Sequence, residues 1–116
     1  PPRSTLFPYT TLFRSGAKTP AKIAETKYLT KTIFIQANFS RANLSGLDLK
    51  QTVLKHANFL EANLESADLT GHDLTQNNLE KTKLYKANLT RSVLQAKYRM
   101  YVQEQEVYNY KSIIWK

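Results

Sequence analysis

The side chains able to do chemistry are few, and each kind has its own requirement. Two histidines, His56 and His72, and three aspartates, Asp48, Asp68 and Asp73, stand in the middle of the chain. A histidine near a carboxylate can act as a general base or hold a metal, but only where the groups converge. A cation at Asp48, Asp68 or Asp73 would need a second kind of ligand close by, and none stands near, so no metal or catalytic site is expected. Cysteine is absent, which excludes disulfides and thiolate metal sites. The three glycines are scattered, so there is no glycine-rich phosphate loop and no cofactor site is expected. Basic residues crowd further along, at Lys81, Lys83, Lys86, Arg91, Lys97 and Arg99. Such a cluster could meet nucleic acid or anionic lipid. Glu80 interrupts it, and between Lys81 and Arg91 only Tyr85 supplies an aromatic, so a solvated surface is the better reading. Whether these groups meet depends on the elements that carry them.

At 116 residues the chain is one domain at most. No apolar run approaches the ~20 residues of a membrane helix. The net charge is +8. Residues 6–15, reading Leu-Phe-Pro-Tyr-Thr-Thr-Leu-Phe-Arg-Ser, resemble the translation of a short-read sequencing adapter. Residues 1–15 are therefore expected to be an artefact or a disordered leader, and are set aside from fold reasoning. Without Arg3 and Arg14, fifteen basic residues face nine acidic ones, a net of +6. On that reading the gene is incomplete at its start. Residues 16–30 are basic and poorly patterned, and read as a linker or N-terminal cap.

From there a strict period of five takes over. Phe34, Phe39, Leu44, Leu49, Leu54, Phe59, Leu64, Leu69, Leu74, Leu79, Leu84, Leu89 and Leu94 follow one another without a gap. Two residues before each stands mostly Ala, Thr or Ser, and one residue before each stands mostly Asn or Asp. Five residues advance an α-helix by about 140°, which smears the large residues round the cylinder. On a flat strand an odd spacing sends alternate ones to opposite faces. A chain that turns about 90° every five residues satisfies the pattern. Each large residue then points to a shared axis, twenty residues close a coil, and coils stack at the ~4.8 Å of paired strands.

The motif Ala-(Asp/Asn)-Leu-X-X resembles that of the pentapeptide-repeat family, over roughly residues 32 to 94. The resemblance implies an all-β fold, a right-handed quadrilateral β-helix of somewhat over three coils, roughly 15 Å tall. Residues 31–95 are assigned to it. Leu47, His72 and Asn77 depart from the small inward residue. Leu47 threatens to overfill its corner, Asn77 needs an internal hydrogen-bond partner, and His72 reads as a hydrogen-bonded interior histidine. His56, two after Leu54, reads as exposed. Steps of twenty stack Phe39, Phe59 and Leu79 on one inner face, and Leu44, Leu64 and Leu84 on the opposite one. Asn38, Asn58 and Asn78 would form an outer ladder. Arg41, Glu61 and Lys81 alternate in charge, which is favourable across neighbouring strands. Asp48 over Asp68 is unfavourable unless each carboxylate accepts backbone N–H groups at its turn. The glycosylation-like triplets at Asn38, Asn43 and Asn88 arise from the repeat itself.

The repeat stops where Lys97 and Arg99 take the next inward positions. A solenoid end needs a cap, and residues 96–116 are read as that cap or as the start of a further segment. Tyr98, Tyr101, Val102 and Gln105 admit a short amphipathic capping helix over Ala96 to Glu106. Val107 to Trp115, β-branched and aromatic, admits a strand.

These features point to a non-catalytic structural or protein-interaction scaffold whose partner is another protein. An alternative is one segment of a larger bacterial effector or secretion-associated protein. The resemblance also raises the family's topoisomerase-interacting DNA mimics. That mode needs a strongly acidic surface, whereas residues 29 to 98 carry nine Lys/Arg against six Asp/Glu. Nucleic acid is the less favoured partner, no membrane span is expected, and a cytoplasmic setting is the default.

Overall fold

The computed structural model describes residues 33–116. The expectations for 1–15 and 16–30, and the first two positions of the repeat, lie outside the described residues. Each large residue from Phe34 to Leu89 opens a tight turn whose carbonyl accepts the N–H of the inward residue three places on, as at Phe34–Ala37 (3.0 Å), Phe59–Ala62 (2.9 Å) and Leu84–Ala87 (2.8 Å). The third residue of most turns has positive φ: between 54° and 62° at Gln36, Arg41, His56, Glu61, Ser66, Lys81, Lys86 and Arg91. A type II turn requires that conformation. For a residue with a Cβ it costs about 1–2 kcal/mol. The same conformation aims the amide along the solenoid axis. Gln36, Arg41, Glu61 and Ser66 thereby donate to the carbonyls of Lys55, Leu60, Glu80 and Tyr85 at 2.8–3.0 Å. Each such bond offsets roughly 0.5–1.5 kcal/mol of that penalty.

The Asn/Asp position has an equally local cause. At all nine such residues, Asn38, Asn43, Asp48, Asn58, Asn63, Asp68, Asp73, Asn78 and Asn88, Oδ1 accepts the backbone N–H two residues on, at 2.9–3.1 Å. This Asx turn holds the corner from outside while the β-turn holds it from within.

Coils then stack in parallel, twenty residues apart. Bridges join Asn38 to Asn58 to Asn78, Asn43 to Asn63 to Lys83, and Asp48 to Asp68 to Asn88 to Tyr108. Each rung is one residue wide because the chain turns again almost at once. Extended strands are confined to β1 (Val93–Leu94) and β2 (Ile114–Trp115), paired in parallel. The expected all-β fold thus appears as a ladder of single bridges rather than as conventional strands.

Phe34 through Leu94, the thirteen large residues, are all at most 3% exposed. Phe39 and Phe59 stack at 5.3 Å with 9° between planes, and Phe34 meets Phe39 edge-on at 5.1 Å. Inward hydroxyls bond to carbonyls of the coil below: Thr82 Oγ1 to Phe59 at 2.8 Å and Ser92 Oγ to Leu69 at 3.0 Å. The three departures are accommodated individually. Leu47 is buried at 4% exposure. His72 donates from Nε2 to the Leu49 carbonyl. Asn77 donates from Nδ2 to the carbonyls of Leu54 (2.7 Å) and Ala57 (2.9 Å).

Two of these large inward residues directly follow the turn glycines, Gly46 with φ 73° and Gly71 with φ 78°. Those angles exceed any at the non-glycine turns, and only glycine reaches them without steric penalty. A Cβ at either position meets nothing within 4 Å. The cost of Gly71→Ala is therefore a backbone cost, expected at about 1 kcal/mol. Urea denaturation of Gly71→Ala and Gly46→Ala measures it, and unchanged midpoints would show that the turns relax freely.

His72 and Asn77 flank the one bridge missing from this repeating pattern among the described residues. Ile33 pairs with Val53 and Asp73 pairs with Val93, but Val53 does not pair with Asp73. The turns ahead of Thr52 and Asn77 also lack the left-handed residue, since neither Gln51 nor Gln76 has positive φ. Two oversized inward residues brace the coil below at both ends of this stretch, and the ladder opens between them.

The C-terminal segment departs from the sequence expectation in detail. Its helix α1 covers only Arg99–Gln103, after a 3-10 turn at Ala96–Tyr98, and the second strand is two residues long, after a 3-10 turn at Tyr110–Ser112. The segment nonetheless follows the columns below it. Val102 is fully buried and stands twenty residues after Thr82. Ile114 pairs with Val93 at a step of twenty-one, the extra residue being absorbed near left-handed Asn109. Lys97 and Arg99 point outward and Tyr98 takes the inner place, 5% exposed. Its hydroxyl accepts the Leu79 N–H at 3.2 Å. Gln105 Oε1 accepts the Leu84 N–H at 3.0 Å, and the Tyr101 hydroxyl donates to the Thr82 carbonyl at 2.7 Å. Side chains here stand in for the backbone of a further coil.

Candidate functional site

The ladder places the titratable groups at separate turns. Asp48 and Asp68 are stacked as bridge partners, and Lys50 joins them, Nζ lying 3.7 Å and 3.4 Å from their Oδ2 atoms. Burial works to raise the Asp68 pKa. The Thr70 hydroxyl (2.6 Å) and N–H (3.1 Å), with Lys50, outweigh it and hold the carboxyl below its ordinary value. The hydrogen bond and charge of Asp68, then Asp48, raise Lys50 in turn. Asp73 is lowered by the hydroxyl and N–H of Thr75. A carboxyl lowered on folding stabilises the fold above its unfolded pKa, and that contribution is lost as pH falls through the folded value. Asp68→Asn keeps the turn acceptor and removes the titration. It is expected to change stability little at neutral pH, where a partly exposed pair contributes about 0–1 kcal/mol. It should also lessen the destabilisation seen on acidification to about pH 3, read from urea midpoints.

His56 is exposed in a left-handed turn and His72 is half-buried against the Leu49 carbonyl. They belong to different outward and inward columns. Arg41 pairs with Glu61 at 2.8 Å, while Lys81 forms no ion pair with Glu61 among the described residues. No group of three or more metal-ligating side chains occurs among the described residues.

The basic residues are all exposed, but the ladder divides them. Lys81, Lys83 and Lys86 share one stretch, with Lys83 bridged to Asn63 and Lys86 over the Tyr85 ring at 5.3 Å. Arg91 falls at the next turn, donating its N–H to Ser112 Oγ, and Lys97 at the one after, over the Tyr98 ring at 5.1 Å. Arg99 begins α1. Six residues adjacent in sequence thus point in several directions.

A different surface emerges instead. One outward column reads Ile33, Val53, Asp73, Val93 and Ile114, where the others carry Asn, Asp or Lys over the same coils. Val53 is 40% exposed, Ile114 51% and neighbouring Ile35 46%. Stepping through the sequence by twenty reveals most of this column; Ile114 escapes because of the one-residue insertion. A second feature that sequence reasoning missed is a polar cleft of about 440 Å³ bounded by Asn77, Asn78, Glu80, Gln95, Lys97 and Tyr98.

The repeat chemistry described above is matched by a family model, pentapeptide repeats, in eight copies over residues 28–59 and 57–95. The chain belongs to the pentapeptide-repeat family. Membership makes the stacked coils a β-helical solenoid. Among solved structures the chain is similar to alr5209, a pentapeptide repeat protein from Nostoc Pcc 7120, at 23% identity and a TM-score of 0.43, covering 96% of this chain and 79% of that one. No curated protein matches it in sequence. No helix among the described residues is long and apolar enough to cross a membrane.

Proposed function

We propose that this chain is a non-catalytic scaffold, a right-handed quadrilateral β-helix over residues 31–95 capped by 96–116, that docks another protein on its outer surface in the cytoplasm. A turn every five residues and bridges every twenty support the four-sided coil. The observation that carries the functional reading is where the polar side chains are engaged. All nine Asn/Asp residues accept turn N–H groups, and inward Thr52, Thr82 and Ser92 donate to carbonyls. Their chemistry maintains a rigid prism, which presents surface at little cost in ordering.

The docking face is the column of Ile33, Val53, Val93 and Ile114 with Ile35 beside it, two apolar stretches separated by Asp73 and edged by Lys55 and Lys116. Exposed apolar strips rimmed by charge mark interaction surfaces. The test is affinity capture from a bacterial extract with the parent chain and with Val53→Glu/Ile114→Glu, both changes at exposed positions. A protein retained by the parent and lost by the variant supports the reading. Retention unaffected by the variant, or no retained protein, overturns it.

A further inference from the structure

We propose that the partner docked on the column of Ile33, Val53, Val93 and Ile114 presents an acidic amphipathic helix, with one lysine or arginine set opposite Asp73. The inference rests on the docking reading above and specifies the chemistry of its occupant. The column rises by about 4.8 Å per rung, so Ile33 and Ile114 stand about 19 Å apart. An extended segment laid along it repeats its same-face side chains every ~6.6 Å and falls out of step within about two rungs. A helix with apolar residues at heptad positions a and d repeats them every ~5.3 Å on average, close to one per rung. Roughly three and a half turns then span the column.

Charge decides the rest. The corners that border the column carry Lys55 and Lys116 on one side and Arg91 on the other, all exposed. None of the three forms an ion pair among the described residues. The corner positions between them, Gln51, Thr75, Gln95 and Ser112, are uncharged. Asp73 is the carboxylate of the column, at its centre and exposed, and Gly71 in the corner beside it carries no side chain to cover it. Its Oδ1 accepts the N–H and hydroxyl of Thr75, while Oδ2 has no hydrogen-bond or ion-pair partner among the described residues. Lys116 acts on it through its charge alone. Covering such a carboxylate with a partner is costly unless a donor meets it. The partner therefore carries one cation at the level of Asp73 and carboxylates along both flanks. A second copy of the chain does not supply this. A two-fold axis along the column sets Asp73 on Asp73, and one across it sets the lysine-bearing corner against its own copy. An anionic bilayer would meet the cations but press Asp73 into lipid.

The test is fluorescence anisotropy of a synthetic peptide of about eighteen residues, with Leu at a and d, Lys at the central a position and Glu at e and g, titrated with the full chain. Saturable binding is expected, weakening with added salt. The parent should prefer this peptide about tenfold to one with Glu in place of the central Lys, and Asp73→Lys should reverse the preference. Asp73→Lys keeps the fold, since Lys83 holds the equivalent place in another column. Lys55→Glu/Lys116→Glu should weaken binding of the first peptide by a similar factor. No saturable binding to the parent, no reversal in Asp73→Lys, or binding of the parent to phosphatidylglycerol vesicles in preference to the peptide would overturn the proposal. If Val53 and Ile114 still govern the capture of a protein in that event, the docking face stands and only the helix is lost. If capture fails as well, both readings fall.

Discussion

Leu64→Lys is expected to abolish the cooperative unfolding transition. Leu64 is fully buried, between Leu44 below and Leu84 above in one inner column. A lysine there has no carboxylate to meet, because the buried residues along the axis are Leu, Phe and Ala with inward Thr, Ser and Asn, and none is acidic. An uncompensated buried charge costs several kcal/mol, against total stabilities of about 5–15 kcal/mol for whole domains. The damage cannot be confined to one coil, since each coil buries its residues only against its neighbours. Leu64→Ala provides the graded control: it removes volume without charge, so a loss of about 2–5 kcal/mol with a transition still present is expected. Circular dichroism during thermal and urea unfolding reads both. A transition in Leu64→Lys matching the parent's would mean that residue 64 does not face the axis.

Removal of residues 96–116 should have a comparable effect by another route. The upper edge of the solenoid is closed by a set of specific contacts: Tyr98 and Gln105 at the amides of Leu79 and Leu84, Tyr101 at the Thr82 carbonyl, and Ile114 and Lys116 at the carbonyls of Ser92 and Leu94. Each bond contributes roughly 0.5–1.5 kcal/mol, and covering Val102 and Ile113 adds about 1.5–3 kcal/mol for each. A chain ending at Gln95 would expose Leu84 and Leu89 together with a row of unpaired backbone groups, the kind of edge that recruits other chains. Light scattering during size exclusion should find it self-associated or unfolded, and a stable monomer with the parent's urea midpoint would refute the capping role. Tyr98→Phe isolates one contact. It keeps the ring and strands the Leu79 amide, for an expected loss of about 1–3 kcal/mol.

The repeat was legible because period five excludes both regular elements, and the large residues fix their own register. The role of Asn and Asp at the turns could likewise be anticipated, and Asp48 over Asp68 is tolerable for that reason together with Lys50. What the sequence concealed were places where long-range contacts override the local pattern. Tyr98 and Gln105 serve as backbone substitutes, which no spacing announces. The one-residue insertion near Asn109 hides Ile114 from a step of twenty. The helical spacing of Tyr98, Tyr101, Val102 and Gln105 is real, yet the helix ends at Gln103 because Gln105 is needed at the Leu84 amide. The basic residues from Lys81 to Arg99 were read as a solvated surface, and closeness in sequence is not closeness on a surface that turns every five residues.

The missing bridge between Val53 and Asp73 also has a consequence in time. Among the described residues, the amides of Leu54, His56 and Asp73 meet no acceptor, although their counterparts one coil away are bonded, as Phe34 is to Val53 and Leu74 to Val93. Amide protons there should exchange with solvent deuterium within a fraction of the lifetime of those at Phe59, Leu64 or Leu69, without any unfolding of the surrounding coils. The solenoid would then have its fastest-breathing seam at mid-height, inside a body whose two neighbouring coils stay clasped on their remaining sides.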